Sequence, residues 1–181
     1  MSWTRLSPAL CAAFALVLAG PAPAQPQPKA KQPMPEEIGK SQSWTAYTYS
    51  EGSGKVCYLV AEPAKKEPGN LKRGNVNALI THNTGDKTNN TVSFVAGYPF
   101  AENAKVELDI DGRKFTLFTK NDTAWAYDSN ADREIVTAMV RGKEAVIKGT
   151  SSRNNATTDT YSLSGFTAAL QTIDKACSIK R

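Results

Sequence analysis

The chain has 181 residues, of which 40% are hydrophobic and 22% charged, with a formal net charge of +5 at pH 7. This length and balance fit one globular domain with a real hydrophobic core and exclude a chain too polar to fold. Lys and Arg are interspersed with Asp and Glu, which indicates a mixed, solvated surface rather than a nucleic-acid site.

The first residues have the pattern of a secretory signal. Arg5 supplies a positive start, Ala9 to Ala19 is an unbroken apolar run, and Ala22-Pro23-Ala24 matches a signal peptidase site. The run is shorter than the roughly 20 residues of a membrane-spanning helix. We therefore predict that residues 1–24 are a cleaved signal peptide, that Cys11 leaves with it, and that the mature protein has no transmembrane segment.

A polar segment follows the predicted cleavage site. Residues 25–42, QPQPKAKQPMPEEIGKSQ, contain proline, lysine and glutamine and almost nothing to bury. This composition predicts a flexible or extended spacer. Trp44 begins a region with regular apolar patterns, so residues 43–181 are predicted to form the folded domain.

Short runs of strand-forming residues predict a mainly β domain. TAYTY and VCYLVAEP flank the turn EGSGK, and NVNALITH and TVSFVAG flank the loop NTGDKTNN, which indicates two hairpins. Asp111-Gly112 joins a third pair, in which alternation predicts one wet face. Residues 145–150 and 158–163 add two more strands. The pattern predicts about eight strands, mostly antiparallel.

Two segments have helical periodicity. SNADREIVTAMVRG predicts a helix that begins at Ser129 as N-cap and ends at Gly142, although EIVTAMV is also compatible with a strand. YSLSGFTAALQTIDKAC predicts a C-terminal helix capped by Ser164. One face of this helix is apolar and consists of Phe166, Ala169, Leu170 and Ile173. The next position on that face is Cys177.

Two cysteines remain after signal removal. Cys57 lies in a predicted core strand and Cys177 on the buried side of the last helix. Disulfides form and persist in the compartments to which such proteins are exported. We predict a Cys57–Cys177 disulfide that ties the helix to the sheet, the alternative being two buried free thiols.

Residues for catalysis are scarce. His82, the only histidine, ends a predicted strand beside a polar loop, where a surface or turn role is the expected one. A metal site usually needs three or four His, Cys or carboxylate ligands, and no nucleotide-binding glycine motif is present. Asp109 and Asp111 lack calcium-loop spacing and indicate a hairpin feature. We therefore predict no catalytic residue, no metal and no cofactor.

Aromatic side chains are the remaining candidates for binding. Their pattern favours core and turn packing, with a recognition patch as the alternative. The candidates are Trp44, Tyr47, Tyr49, Tyr98, Phe100 and Trp125.

Five segments taken together resemble a known family. They are VCYLVAEPAKKEP, RGNVNALITH, SFVAGYPF, IDGRKFTLFTKNDTAWAYD and KGTSSRNNATTDTYSLSGFTAALQTIDKAC. In this order they are similar to the invasion-associated locus B family of bacterial envelope proteins, from about Trp44 to Cys177. Many members of that family carry an additional cysteine pair in the segment corresponding to Lys120 to Glu134, which this chain lacks. The chain therefore resembles a two-cysteine subgroup.

The resemblance implies an exported, β-sandwich-like protein whose founding member was linked to entry of a pathogen into red blood cells. The function expected is that of a non-enzymatic binding module, periplasmic, secreted or associated with the outer membrane, which assists host-cell entry or envelope integrity. Its expected partner is a protein or glycan of the envelope or of a host cell, and not a nucleic acid. The alternatives are a structural or chaperone-like periplasmic module and a hydrolase with an unrecognised site.

Overall fold

The computed structural model describes residues 34–181, which form eleven strands and two helices. The strands are β1 (Glu36–Ser41), β2 (Trp44–Glu51), β3 (Gly54–Ala61), β4 (Lys65–Glu67), β5 (Asn77–Asn83), β6 (Thr88–Val95), β7 (Val106–Ile110), β8 (Arg113–Lys120), β9 (Thr123–Trp125), β10 (Glu144–Thr150) and β11 (Ala156–Ser162). The helices are α1 (Ser129–Arg141) and α2 (Phe166–Ala176). The predicted signal peptide and the first part of the predicted spacer lie outside the described residues.

All eleven strands belong to one antiparallel sheet in the order β1-β2-β3-β5-β6-β9-β8-β7-β10-β11-β4. Strand β8 joins two halves, because it pairs with β9 on one side and with β7 on the other. We call β1, β2, β3, β5, β6 and β9 the first half, and β7, β10, β11 and β4 the second half. The predicted antiparallel, mainly β fold is confirmed.

The two halves face each other across the core. Phe94 on β6 meets Tyr161 on β11 with ring centroids 5.6 Å apart. The indole N–H of Trp44 on β2 donates to the Ser162 carbonyl oxygen at 3.0 Å. Side chains alternate along the strands, so the apolar set faces inward and is removed from water, the main source of stability in such a fold. This arrangement agrees with the expected sandwich-like packing.

Three strands were missed by the sequence prediction of about eight. Strand β1 occupies residues 36–41 of the predicted spacer, so the C-terminal boundary of that spacer is wrong. It pairs with β2 along its length and buries little except part of Ile38. Its stability comes from backbone pairing, which leaves no hydrophobic signal in the sequence. Strands β4 and β9 have three residues each and show no periodicity that could be recognised.

Helix α1 is confirmed over the predicted residues, and its alternative as a strand is wrong. Its N-cap is Asp128 rather than the predicted Ser129, because the Asp128 carboxylate accepts from the backbone N–H groups of the first turn. The helix is docked on β6 by Asp132, whose Oδ1 accepts the Val92 N–H at 2.8 Å. Strand β9 pairs with β6 only from Ser93 onward, so this carboxylate supplies an acceptor beyond the end of β9.

Helix α2 packs against β1, β2 and β3. Its predicted apolar face is buried as expected, and Phe166 makes an edge contact with Trp44 at 4.9 Å between centroids. The cap differs from the prediction, because Gly165 and not Ser164 precedes the helix. Gly165 has a φ of 83°, and a side chain there would collide with the Ser41 backbone. The close approach of α2 to the β1–β2 turn therefore requires glycine.

Candidate functional site

The predicted cysteine pair is joined. Cys57 on β3 and Cys177 at the end of α2 form a disulfide with a Cα–Cα distance of 6.0 Å and a sequence separation of 120 residues. Both residues are buried. The bridge attaches α2 to the inner face of the first half, and it leaves no free thiol for nucleophilic chemistry among residues 34–181.

The only histidine lies beside this bridge. His82 on β5 is directly opposite Cys57 on β3, and its side chain is fully buried. Its Nδ1 accepts the Asn90 backbone N–H at 3.0 Å, so the proton of the neutral ring resides on Nε2. That Nε2–H donates to Asp174 Oδ1 on α2, also at 3.0 Å. Arg181 completes the group by donating to both Asp174 and Asn90.

The expected surface or turn role of His82 is wrong. His82 continues the alternation of Ala78 and Ile80, whose side chains face the core, and it stays in register with buried Cys57 on β3. Its ring nitrogens form hydrogen bonds with Asp174 on α2 and with Asn90, and neither partner belongs to the strand that carries His82. Because both ring nitrogens are occupied by structural partners, the side chain is not placed to act as a general base.

Other candidate groups for chemistry have structural partners as well. Asp109 Oδ1 accepts the Gly112 N–H at 2.7 Å, and Asp111 accepts the Lys143 N–H, also at 2.7 Å. These carboxylates stabilise the β7–β8 hairpin and its contact with β10, in agreement with the predicted hairpin role. Within the described part of the chain, His, Cys, Asp and Glu form no group of three that could hold a metal ion.

The outer surface of the first half has an unusual composition for an exposed sheet face. Two rows run across its strands in register: Tyr47, Tyr58, Thr81 and Thr91 form one, and Thr45, Val60, Leu79, Ser93, Trp125 and Phe118 form the other. From β2 to β8 neither row contains a charged residue, whereas the edge strand β1 places exposed Glu37 opposite Tyr47 and exposed Lys40 opposite Thr45. We call the ten residues of the two rows from β2 to β8, together with Tyr49, the outer aromatic face.

Aromatic rings contact one another along the outer aromatic face. Tyr47 and Tyr58 stack with centroids 5.3 Å apart, and Tyr49 meets the edge of Tyr58 at 6.3 Å. At the opposite side, Phe118 packs against Tyr127, a residue that is 56% exposed. Burial raises the pKa of Tyr58 and of Tyr49, so their hydroxyls stay protonated and available as donors.

The outer surface of the second half differs in charge. Its rows bring together Lys148, Glu107 and Glu67 with Thr158 and Thr116. Nearby, Lys114 forms an exposed ion pair with Glu107, and Lys65 forms one with Glu67. The outer surface of this half is charged and exposed to solvent, so the lack of charge from β2 to β8 on the other outer surface is a local property and not an effect of overall composition.

The six aromatic residues considered as binding candidates lie in three different parts of the structure. Trp44 is a fully buried core residue, as predicted. Tyr98 and Phe100 make an edge contact in the loop after β6. Tyr47, Tyr49 and Trp125 instead belong to the outer aromatic face and not to the core. Sequence reasoning missed Tyr58 and Phe118, although strand alternation places both on the wet side of their strands.

A buried ion pair lies behind Tyr98. Arg73 donates twice to Asp159, at 2.8 Å and 2.6 Å, and both side chains are almost wholly buried. The hydrogen bonds that Arg73 donates to Asp159 raise the pKa of the guanidinium. The guanidinium also lies 5.8 Å from the ring centroid of Tyr98, whose hydroxyl is hydrogen-bonded to Thr157. The pair fixes the loop before β5 against β11.

Neither α1 nor α2 has the length and apolar character needed to cross a membrane. No curated protein matches the chain. Among solved structures, a similar fold is found in the crystal structure of invasion associated protein B from Bartonella henselae. That structure is 15% identical, with a TM-score of 0.53, and the alignment covers 79% of this chain and 97% of the other. The likeness supports the fold.

The family is shown by a more direct comparison. The model of the Invasion associated locus B (IalB) protein family matches residues 44–174, which extend from the start of β2 into α2. The match includes the outer aromatic face, the Arg73–Asp159 pair and the His82–Asp174 pair. This chain belongs to the invasion associated locus B family.

Proposed function

We propose that this protein is an exported, non-enzymatic module of the bacterial cell envelope that binds another protein through its outer aromatic face. Residues 1–24 act as the signal peptide and are removed after Ala24. The mature protein then works in the periplasm, at the outer membrane or outside the cell. There it assists envelope integrity or, in an invasive bacterium, entry into a host cell.

The composition of the outer aromatic face carries this proposal. Tyrosine, tryptophan and phenylalanine are enriched at the centres of protein interfaces, and lysine, glutamate and aspartate are depleted there. The outer aromatic face has both properties, whereas the outer surface of the second half has neither. Tyr and Thr hydroxyls on the same face can donate to a polar backbone or side chain of the partner.

The chemistry of the buried groups supports a non-enzymatic role. The neutral ring of His82 is held between Asn90 and Asp174, and Cys57 is bonded to Cys177. A hydrolase would require an activated nucleophile beside a free base, and neither of these groups can serve as one. The disulfide is also consistent with an oxidising compartment, as export would require.

Capture of a partner by parent and variant proteins tests the proposal. Thr81 lies between Tyr58 and Thr91 in the first row of the outer aromatic face, so Thr81→Lys places a charge at its centre. The matched control is Thr158→Lys, a change at a half-buried strand position on the charged outer surface. Each protein is presented to envelope extract and to host-cell membranes, and the retained proteins are compared.

We expect one set of proteins to be retained by the parent and by Thr158→Lys and lost with Thr81→Lys. A desolvated, unpaired charge at the centre of an interface is strongly unfavourable, so the loss should be tenfold or more. Equal retention by all three proteins would contradict the proposal. Retention of glycan without protein would contradict the proposal that the partner is a protein. Cleavage of the signal peptide is tested separately, by mass spectrometry of the mature chain, which should begin at Gln25.

A further inference from the structure

A second surface, away from the outer aromatic face, has the features of a small ligand site. A groove of about 270 Å³ opens where the loops before β5 and after β6 meet the β10–β11 turn. It is lined by Leu71, Lys72, Gly97, Tyr98, Pro99, Ser151, Ser152, Arg153 and Asn155. Typical small-molecule sites begin near 300 Å³, so the groove fits one small ring with its substituents.

The walls of the groove are held by contacts beneath its surface. Arg73 anchors the first loop to Asp159, and the Gly74 N–H donates to the Gly97 carbonyl at 2.8 Å. Gly97 has a φ of 70°, and a side chain there would collide with the Gly74 backbone. Because Arg73 is fixed, the backbone of its exposed neighbour Lys72 is held at the rim of the groove, so binding must order the Lys72 side chain but not the loop.

The opposite wall of the groove is also held in place by hydrogen bonds. The Ser151 hydroxyl accepts the backbone N–H groups of Arg153 and Asn155 within the turn, and the Ser152 N–H donates to the Pro99 carbonyl at 2.8 Å. These bonds leave the side chains of Ser152, Arg153 and Asn155 exposed at the groove.

The charge of the lining is one-sided. It contains two cations, Lys72 and Arg153, and no acidic residue. The acid behind the groove, Asp159, is already neutralised by Arg73. Arginine binds carboxylate and phosphate groups through two parallel hydrogen bonds, which makes this wall suited to an anion.

The other residues that line the groove indicate which kind of molecule bears the anionic group. Tyr98 and Pro99 offer a ring and a compact apolar surface, against which the carbon face of a sugar can pack. The Ser152 hydroxyl and the Asn155 amide supply short-range hydrogen-bonding groups of the kind that recognise sugar hydroxyls. We propose that this groove binds the anionic sugar residue of a saccharide, with the charge against Arg153 and Lys72 and the ring beside Tyr98.

The proposal does not depend on the outer aromatic face, because no lining residue of the groove belongs to that face. It is tested by NMR titration of the isotopically labelled mature protein with glucuronic acid, glucose 6-phosphate, glucose and inorganic phosphate. We expect backbone signals of the groove to shift with one or both anionic sugars, at an affinity at least tenfold above that for glucose. A response to glucuronic acid alone assigns a carboxylate, and a response to glucose 6-phosphate alone assigns a phosphate ester.

Two variants sharpen the test. Arg153→Gln should weaken binding of the anionic sugar roughly tenfold, since a hydrogen bond to a charged group is lost. Lys175→Gln, which removes one exposed positive charge from α2, should leave binding unchanged. The proposal would be overturned by equal affinity for glucose, by no effect of Arg153→Gln, or by shifts outside the groove. Inorganic phosphate that bound as tightly as glucose 6-phosphate would also overturn it, because the sugar ring would then play no part.

Discussion

His82 illustrates how the core of this protein accommodates a titratable group. Burial, the largest influence, lowers the pKa of His82 below its usual 6.5, although the hydrogen bond to Asp174 acts in the opposite direction. Protonation of Nδ1 would also turn its hydrogen bond from Asn90 into a contact between two donors. Arg181 adds a positive charge nearby, so the neutral ring is the form that the fold stabilises.

This lowered pKa predicts a stability change in a defined pH range. As the pH falls through about 6.5, the unfolded chain takes up a proton at His82 while the folded chain does not, so the free energy of unfolding decreases. Urea unfolding between pH 7.5 and 5.5 should show this loss. In His82→Gln, which does not titrate, the slope should be flatter even though the variant is less stable overall. An identical slope in both proteins would show that another group is responsible.

Two tyrosines that line the same small cavity, Tyr98 and Tyr161, allow a comparison of hydrogen bonds. Tyr98 shares one with Thr157, whereas the fully buried Tyr161 hydroxyl has no protein partner among residues 34–181. Tyr98→Phe should cost about 1 kcal/mol, while Tyr161→Phe should be neutral or stabilising. Thermal melting of both variants beside the parent decides this. A clear loss in Tyr161→Phe would mean that its hydroxyl is satisfied by solvent in the small adjoining cavity of about 10 Å³.

Helix α2 is attached to the sheet by three kinds of contact. They are the disulfide at Cys177, the Asp174–His82 hydrogen bond and the apolar face that includes Leu170. The disulfide reduces the conformational entropy of the unfolded chain, whereas the hydrogen bond and the apolar contact stabilise the folded state. Separate substitutions can therefore distinguish them.

Cys177→Ser removes the covalent contact alone. The chain-entropy model assigns on the order of 4 to 5 kcal/mol to a loop of this length. The variant should therefore melt much earlier than the parent but still fold at low temperature, since the apolar face remains docked. The parent melted in the presence of reductant serves as a control and should behave like the variant. Equal melting of variant and unreduced parent would show that the bridge contributes little.

Leu170→Asp attacks the apolar contact instead. Leu170 is only 2% exposed, and a carboxylate in its place would lack a partner in the core. We expect a loss of several kcal/mol and impaired folding even with the disulfide formed, measured by circular dichroism and thermal melting. Thr167→Asp, at an exposed position of the same helix, should be tolerated. A parent-like melt of Leu170→Asp would mean that α2 is not packed through this face.

What the sequence reveals about these elements depends on whether their signal is local. The face of α2 and the Cys57–Cys177 pair follow from helical spacing and from the small number of cysteines. The role of His82 does not, because alternation places its ring on the core face but cannot reveal its partner Asp174, which is distant in sequence. Strand β1 was not predicted because it is held by backbone pairing with β2, which does not require apolar side chains. Residues such as Gly39 and Lys40 therefore show no apolar pattern.

At the scale of the whole molecule, the sheet has two outer surfaces of different character. Strand alternation is compatible with the outward position of Tyr47 and Tyr58, although we did not predict it. It cannot reveal that they stack on each other, or that Trp125 and Phe118 continue the same surface, because the strand order across β9 and β8 is a tertiary property. The groove beside Tyr98 is likewise assembled from three separate loops.

Site-specific photo-crosslinking in cells tests the central claim most directly. A photoreactive amino acid replaces either Thr81 on the outer aromatic face or Thr158 on the charged outer surface, in otherwise unchanged protein. The proposed function predicts a discrete crosslink to another protein from position 81 and none from position 158. A crosslink only from position 158, or no protein crosslink from either position, would contradict binding through the outer aromatic face. A product of twice the chain's own mass from position 81 would instead identify a second copy and contradict a distinct partner.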